Sequence, residues 1–201
     1  MSAVRELDLS KLPELGFGHA ASVWWAVLGL IAIEGTMFAL LAVSALYLRQ
    51  AAPSWPPAGI PAPAIGAALA NVIVLVVSLA PMVWVHMAAR RFDARAVVIG
   101  LVIGTVLGIA ALVLRMAEFH ALHVRWDSNA YGSIGWSILG MHTGHLLTSS
   151  IENVLIILVM RSPHRQGKHF VDTEVNALYW YFIVGAWLPL SALVFWVPRW
   201  P

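Results

Sequence analysis

Ionisable and polar side chains interrupt two of the long apolar stretches of this 201-residue chain. Glu34 lies in the first stretch, and His142, His145, Ser149 and Glu152 lie in the fourth. At 100° per residue, these four side chains and Asn153 fall within about 100° of arc, a polar stripe on one side of a helix. Histidine and carboxylate groups can bind a metal, relay protons or form hydrogen-bonded clusters, so each of these chemistries has to be weighed.

Three interpretations of the Glu34, His142 and His145 group compete. A metal site needs three or four convergent ligands, and two histidines three residues apart with one carboxylate match no HExxH-type pattern. A haem pair would need two histidines at matching depth on facing helices, and the other histidines of the apolar stretches lie near their ends. We therefore expect no metal and no catalytic residue, and favour a polar cluster that locks helices together or contacts lipid. A proton-relay or transport role is a minor alternative, because the chain shows no internal repeat.

Arg115 and Glu118 stand three residues apart in the third stretch, a spacing that lets two side chains pair on a helix. At 1.5 Å per residue they lie roughly 32 to 36 Å from the start of that helix. This depth predicts an ion pair or a lipid contact at the outer membrane interface.

Five long apolar stretches must position these side chains. The chain is 60% hydrophobic and 11% charged, which excludes a soluble globular domain. One crossing takes about 20 apolar residues, so five crossings leave room only for loops and helix ends. The sequence predicts an all-α polytopic membrane protein, with a polar tail over residues 1–19 and a single bundle of five transmembrane helices over residues 20–201. The apolar stretches cover residues 22–48, 63–87, 94–114 with a polar extension to 122, 131–160 and 175–197.

Charge and cysteine content restrict the partners and the orientation. Five spans put the chain ends on opposite faces, and eight of the twelve basic residues fall on the side of the N-terminus. The positive-inside rule then predicts a cytoplasmic N-terminus and an external C-terminus. The tail has no apolar core of a signal peptide, so we expect the first apolar segment to be retained. A net charge of +2 without a basic run argues against nucleic acid, and the absence of cysteine excludes disulfides, iron–sulfur clusters and thiolate copper centres.

Glycines recur every four residues on the third helix, at Gly100, Gly104 and Gly108. This spacing predicts a flat face where another backbone approaches closely. Gly140 and Gly144 repeat the pattern on the fourth helix, so both helices are expected to use glycine for packing.

Short motifs recur in order from the first helix to the last. They are Ile33-Glu34-Gly35-Thr36-Met37-Phe38-Ala39, Trp55-Pro56-Pro57, Arg115-Met116-Ala117-Glu118-Phe119, Tyr131-Gly132-Ser133, Gly140-Met141-His142-Thr143-Gly144-His145, and Glu174 followed by Tyr179-Trp180-Tyr181-Phe182. Together they resemble subunit III of the haem-copper oxidases, the cytochrome c and quinol oxidases. With five predicted helices, the chain resembles the short bacterial form of that family, whereas longer members carry two more helices at the N-terminus.

The chain also departs from the family pattern. The His and Asp of the family's last helix are Tyr181 and Val184 here, and its Gln is Arg115. The roles of that His and Asp in the family therefore do not carry over to Tyr181 and Val184.

The resemblance implies an accessory subunit of a respiratory terminal oxidase, in a bacterial plasma membrane. Such a subunit has no redox cofactor, docks on catalytic subunit I in a complex with subunit II, holds structural phospholipid in a cleft, and supports sustained turnover and proton uptake. Related chains accompany quinol oxidases and nitric oxide reductases, so the electron donor stays open. An independent membrane transporter or metalloenzyme is the less favoured alternative.

Overall fold

A computed structural model describes residues 16–200, and within that range five long helices follow one another with no strand between them. All five are long and apolar enough to cross a membrane. This confirms the predicted all-α polytopic fold. Most of the predicted tail, residues 1–15, lies outside the described residues, and so does residue 201. The helices are α1 (Ser22–Ala51), α2 (Ile65–Arg90), α3 (Ala94–Ala121), α4 (Ala130–Arg161) and α5 (Lys168–Ser191).

Side-chain caps fix the starts of two of the helices. Asp93 accepts a hydrogen bond from the backbone N–H of Ala96 at 3.0 Å, at the start of α3. Asn129 accepts one from Gly132 at 2.8 Å, at the start of α4. These caps satisfy amides that have no partner inside a helix, so the short α2–α3 and α3–α4 loops can turn sharply.

The fifth helix differs from its prediction at both ends. It begins at Lys168, seven residues before the apolar stretch, because its first turns carry polar side chains that hydropathy does not register. Pro189 lies inside its last turn and has no N–H to donate. The helix continues past it as a π-helical segment, Ala192–Trp196, and a 3-10 turn, Val197–Arg199.

The core lies among α2, α3, α4 and α5, and α1 packs on the outside of this group against α4 and α5. In the most apolar window of α1 only 6% of residues are buried, against 50% for the span that contains α5. Trp180 and Trp187 of α5 are fully buried at the centre. Four helices thus form the packed unit that holds the polar side chains, and α1 closes one side of it.

The glycine face of α3 is a close contact inside the bundle. A Cβ atom built on Gly104 would lie 3.0 Å from the sulfur of Met82, on α2. A Cβ atom on Gly108 would lie 2.8 Å from the hydroxyl of Ser150, on α4, and 2.9 Å from the Trp180 ring, on α5. Only glycine lets these helices approach so closely.

The predicted glycine face of α4 has no such contact. A Cβ atom on Gly140 or Gly144 would have no heavy atom within 4 Å among residues 16–200. Spacing alone predicts the same face on both helices, but α3 sits inside the bundle, whereas these two positions of α4 face away from its neighbours.

Candidate functional site: two intramembrane polar clusters

The first polar cluster joins α1 to α4 and α5 through Glu34. The hydroxyl of Tyr179 donates a hydrogen bond of 2.5 Å to Glu34 Oε2. The other carboxylate oxygen, Oε1, lies 3.4 Å from Nε2 of His145. Both side chains are mostly shielded, with Glu34 16% and His145 14% exposed. Counted at 1.5 Å per residue, Glu34 lies roughly 18 Å inside the first apolar stretch, and His142 and His145 lie roughly 17 to 21 Å inside the fourth, so the sequence predicts this proximity.

A hydrogen bond within α4 orients the ring of His145. Nδ1 of His145 lies 2.7 Å from the carbonyl oxygen of Met141, which can only accept, so Nδ1 carries a hydrogen. Nε2 is the ring nitrogen of His145 that faces Glu34 Oε1, at 3.4 Å.

The second polar cluster is an ion pair buried between four helices. Nη1 of Arg115 lies 2.6 Å from Glu118 Oε2, and both side chains are 0% exposed. Asn71 of α2 donates a hydrogen bond of 2.8 Å to the same carboxylate oxygen. Nη2 of Arg115 lies 2.9 Å from Nδ1 of His142, on α4.

Helix α5 completes the cluster around Arg115. The guanidinium carbon of Arg115 lies 3.7 Å from the centre of the Trp187 ring, a cation–π geometry. Nε2 of His142 lies 3.1 Å from the carbonyl oxygen of Ile183. Arginine can only donate to Nδ1 and a carbonyl can only accept from Nε2, so His142 is the neutral Nε2–H tautomer.

The structure therefore separates residues that the sequence groups together. His145 faces Glu34, whereas His142 turns to Arg115, because residues three apart on a helix point about 60° away from each other. The pairing of Arg115 with Glu118 follows the predicted spacing, but the predicted lipid contact is wrong, because both side chains are 0% exposed. Counting residues along a helix gives depth and not direction, and this side of α3 points into the bundle.

Ser149 and Glu152, two further members of the predicted stripe, do not join either cluster through a hydrogen bond. Ser149 is buried, and its hydroxyl finds no partner within residues 16–200. Glu152 is exposed on the bundle surface, where it lines a groove of about 260 Å³ together with Glu34, Asn176 and Tyr179. The groove opens between α1, α4 and α5.

A third buried carboxylate, Glu174, lies near the start of α5. It accepts hydrogen bonds from Arg90 Nε at 2.8 Å and from the backbone N–H of Gly18 at 3.0 Å. Nε2 of His86 is 3.7 Å away. Glu174 thereby ties the end of α2 and the segment before α1 to α5. Gly18 has φ +59°, a backbone conformation that favours glycine.

Sequence reasoning missed several amide and hydroxyl contacts between helices. Asn176 donates to Asn153 at 2.7 Å, and Trp180 donates through its indole to Ser78 at 2.9 Å. Asn71 is also absent from the predicted cluster. Each is a polar side chain inside an apolar run, which is the signal that could have identified them.

The two departures from the family pattern on the last helix, Tyr181 and Val184, lie inside the bundle. The hydroxyl of Tyr181 donates to the carbonyl oxygen of Met82 at 3.2 Å, and its ring stacks on that of His86 with centres 6.2 Å apart. Val184 is buried in the apolar core. These side chains therefore serve packing between α5 and its neighbours.

Among residues 16–200, no three His, Cys, Asp or Glu side chains are grouped so that they could hold a metal ion. Five apolar spans joined by buried polar clusters define a polytopic helical membrane protein. The model of the family described as cytochrome c oxidase subunit III matches residues 20–199. The chain therefore belongs to the cytochrome c oxidase subunit III family.

Individual relatives agree with the family match. The chain is 29% identical over 143 residues to cytochrome c oxidase subunit 3 of Myxine glutinosa and 27% identical to that of Hippopotamus amphibius. Each match covers 71% of this chain and 55% of the relative. The chain thus spans about half the length of the curated relatives it matches.

Proposed function

We propose that this chain is a non-catalytic subunit III of a respiratory haem-copper terminal oxidase. In this role it packs on catalytic subunit I, in a complex that includes subunit II, and stabilises the catalytic subunit during turnover. The family match over residues 20–199 carries the proposal. The relatives named above are cytochrome c oxidase subunits 3, which favours cytochrome c as the electron donor of the complex.

The state of the buried histidines supports an accessory role. Both ring nitrogens of His142 are engaged, by Arg115 and by the Ile183 carbonyl. Nδ1 of His145 is engaged by the Met141 carbonyl. These side chains hold helices together, and we therefore propose that this chain has no redox cofactor and that the redox chemistry belongs to the other subunits.

The same proposal includes lipid and location. The groove beside Glu34 combines apolar Val27 and Leu30 with polar Thr148 and Tyr179, a lining that suits a structural phospholipid. We further infer a bacterial plasma membrane, from the composition rich in Arg and Ala. The charge asymmetry of the loops supports a cytoplasmic N-terminus.

Co-purification tests this function. The chain, tagged at its C-terminus in its native host, is extracted in mild detergent and isolated by the tag. We expect haem absorbance and stoichiometric subunits I and II in the eluate, and an oxidase prepared without this chain should lose activity faster during turnover. A colourless homo-oligomer without partner chains would contradict the proposal and favour the transporter alternative.

A further inference from the structure

Three arginines surround one groove at the basic end of the bundle, between the start of α3 and the end of α4. The groove, of about 380 Å³, has Arg95, Arg161 and Arg165 on its rim and Val98, Ile99 and Met160 among its apolar lining. All three arginines are exposed. This groove is separate from the one beside Glu34, which lies between α1, α4 and α5.

The charges of this groove are not compensated inside the part of the chain that the structure describes. Among the described residues, none of the three arginines takes part in an ion pair, and their side chains make one hydrogen bond, from Arg165 to the carbonyl oxygen of Met160 at 3.3 Å. Asp93, close by in sequence, uses its carboxylate to cap α3. The rim therefore presents positive charge to an external anion.

The position of Arg95 strengthens this reading. It is the second residue of α3, where the positive end of the helix dipole makes a basic side chain unfavourable. Helix stability thus gives no reason for an arginine here. An anion bound between the arginines would be attracted by both the side chains and the helix end.

An apolar surface continues from the groove into the membrane. Ile99 and Val102 of α3 are 42% and 44% exposed, and Leu158 of α4 is 61% exposed. A free phosphate would leave this surface unused, whereas a phospholipid places its headgroup among the arginines and its acyl chains along the two helices. A zwitterionic lipid also carries a cation, which three arginines repel.

We propose that this groove binds one anionic phospholipid by its phosphodiester headgroup, at the basic face of the bundle. Basic pockets between transmembrane helices recognise such headgroups. The proposal does not depend on the oxidase function. It concerns a site defined by Arg95, Arg161 and Arg165 and the apolar floor between them.

Native mass spectrometry of the full chain, delipidated in detergent, tests the site with phosphatidylglycerol and phosphatidylcholine of the same acyl chains. We expect tighter binding of phosphatidylglycerol. Arg95→Gln and Arg161→Gln, made separately and checked for folding by circular dichroism, should each weaken that binding roughly five-fold and leave phosphatidylcholine unchanged. Arg95→Lys keeps the charge and should retain most of the affinity.

Arg91→Gln is the matched control, because Arg91 is exposed at the same end of the bundle but does not line the groove. An equal loss in this control would show general surface attraction and overturn the proposal. So would equal affinity for the two lipids, or binding of soluble glycerol 3-phosphate as tight as that of phosphatidylglycerol.

Discussion

Arg115 and Glu118 show how a charge inside a membrane bundle depends on its partners. Both are fully buried, and the pair is held by Asn71, His142 and the face of Trp187. Taking two charges out of water is costly, so such a pair is retained only where hydrogen bonds satisfy most of it. The pair therefore constrains which faces of four helices can meet.

We expect Arg115→Met to lower the free energy of unfolding by about 3 to 5 kcal/mol, because it leaves the carboxylate of Glu118 without its cation. The double variant Arg115→Met with Glu118→Gln should be clearly more stable than the single variant. Thermal unfolding of the full chain in detergent, followed by tryptophan fluorescence, measures both. If the double variant lost as much unfolding free energy as Arg115→Met and Glu118→Gln lose separately and added together, the two charges would not interact.

Variants of Tyr179 and Glu34 test whether charge or hydrogen bonding attaches α1 to the rest of the bundle. Tyr179→Phe removes the donor at 2.5 Å and should cost about 0.5 to 1.5 kcal/mol of unfolding free energy, the usual net contribution of one hydrogen bond. Glu34→Gln keeps an oxygen acceptor for Tyr179 and should cost less. Thermal unfolding in detergent compares the two variants. A larger loss of unfolding free energy for Glu34→Gln than for Tyr179→Phe would show that the pair with His145 attaches α1.

At the scale of residues, the sequence predicted that Glu34 and His145 lie at the same depth, but not the direction in which each histidine side chain points. The apolar stretches and the rise per residue put Glu34 and His145 at one level, and the structure brings them to 3.4 Å. The same reasoning could not separate His145 from His142. Which histidine meets which carboxylate depends on how each helix is rotated, and that rotation is set by all neighbouring helices together.

At the scale of elements, glycine spacing has meaning only where another helix lies against it. Gly104 faces Met82, whereas Gly144 faces open space within the described chain. Both occur in sequence patterns of the same kind. Burial of the whole helix distinguishes them, because α3 is enclosed by α2 and α4 while α4 keeps one side outside the bundle.

This contrast gives a matched pair of variants. Gly104→Leu should destabilise the chain by about 1 to 3 kcal/mol, since a large side chain must push α2 and α3 apart. Gly144→Leu should leave stability within about 0.5 kcal/mol. Unfolding midpoints of the isolated chain measure the difference. Equal loss in both variants would mean that the α3 glycines do not form the tight contact described.

Helix ends were the least predictable elements, for a physical reason. The first turns of α5 carry polar residues, and Pro189 lies near its end. Hydropathy alone therefore predicts neither the first nor the last residue of this helix. Tertiary contacts decide instead. Glu174 binds Arg90 and Gly18 in the second turn of α5, which fixes helical structure in a segment whose sequence is not apolar.

At the scale of the whole molecule, the bundle consists of a packed group and a peripheral helix. Helices α2 to α5 share the buried tryptophans and the Arg115 cluster, whereas α1 exposes large apolar side chains such as Ile33 and Leu40. Glu34 links α1 to this group through polar contacts with His145 and Tyr179. The sequence had already indicated the contact with the histidines. The order of helices and their number were predictable because each needs about 20 apolar residues to cross lipid.

The orientation of the bundle is the remaining prediction, and the absence of cysteine makes it directly testable. Eight of the twelve basic residues lie on the side of the N-terminus, so the α4–α5 loop should be cytoplasmic and the α1–α2 loop external. Ser54→Cys and Gln166→Cys place single thiols at exposed positions of these loops. A membrane-impermeant maleimide added to intact cells should label Ser54→Cys, and should label Gln166→Cys only after permeabilisation. The parent chain, which has no thiol, supplies the background, and the reverse labelling pattern would place the basic loops outside, against the charge rule.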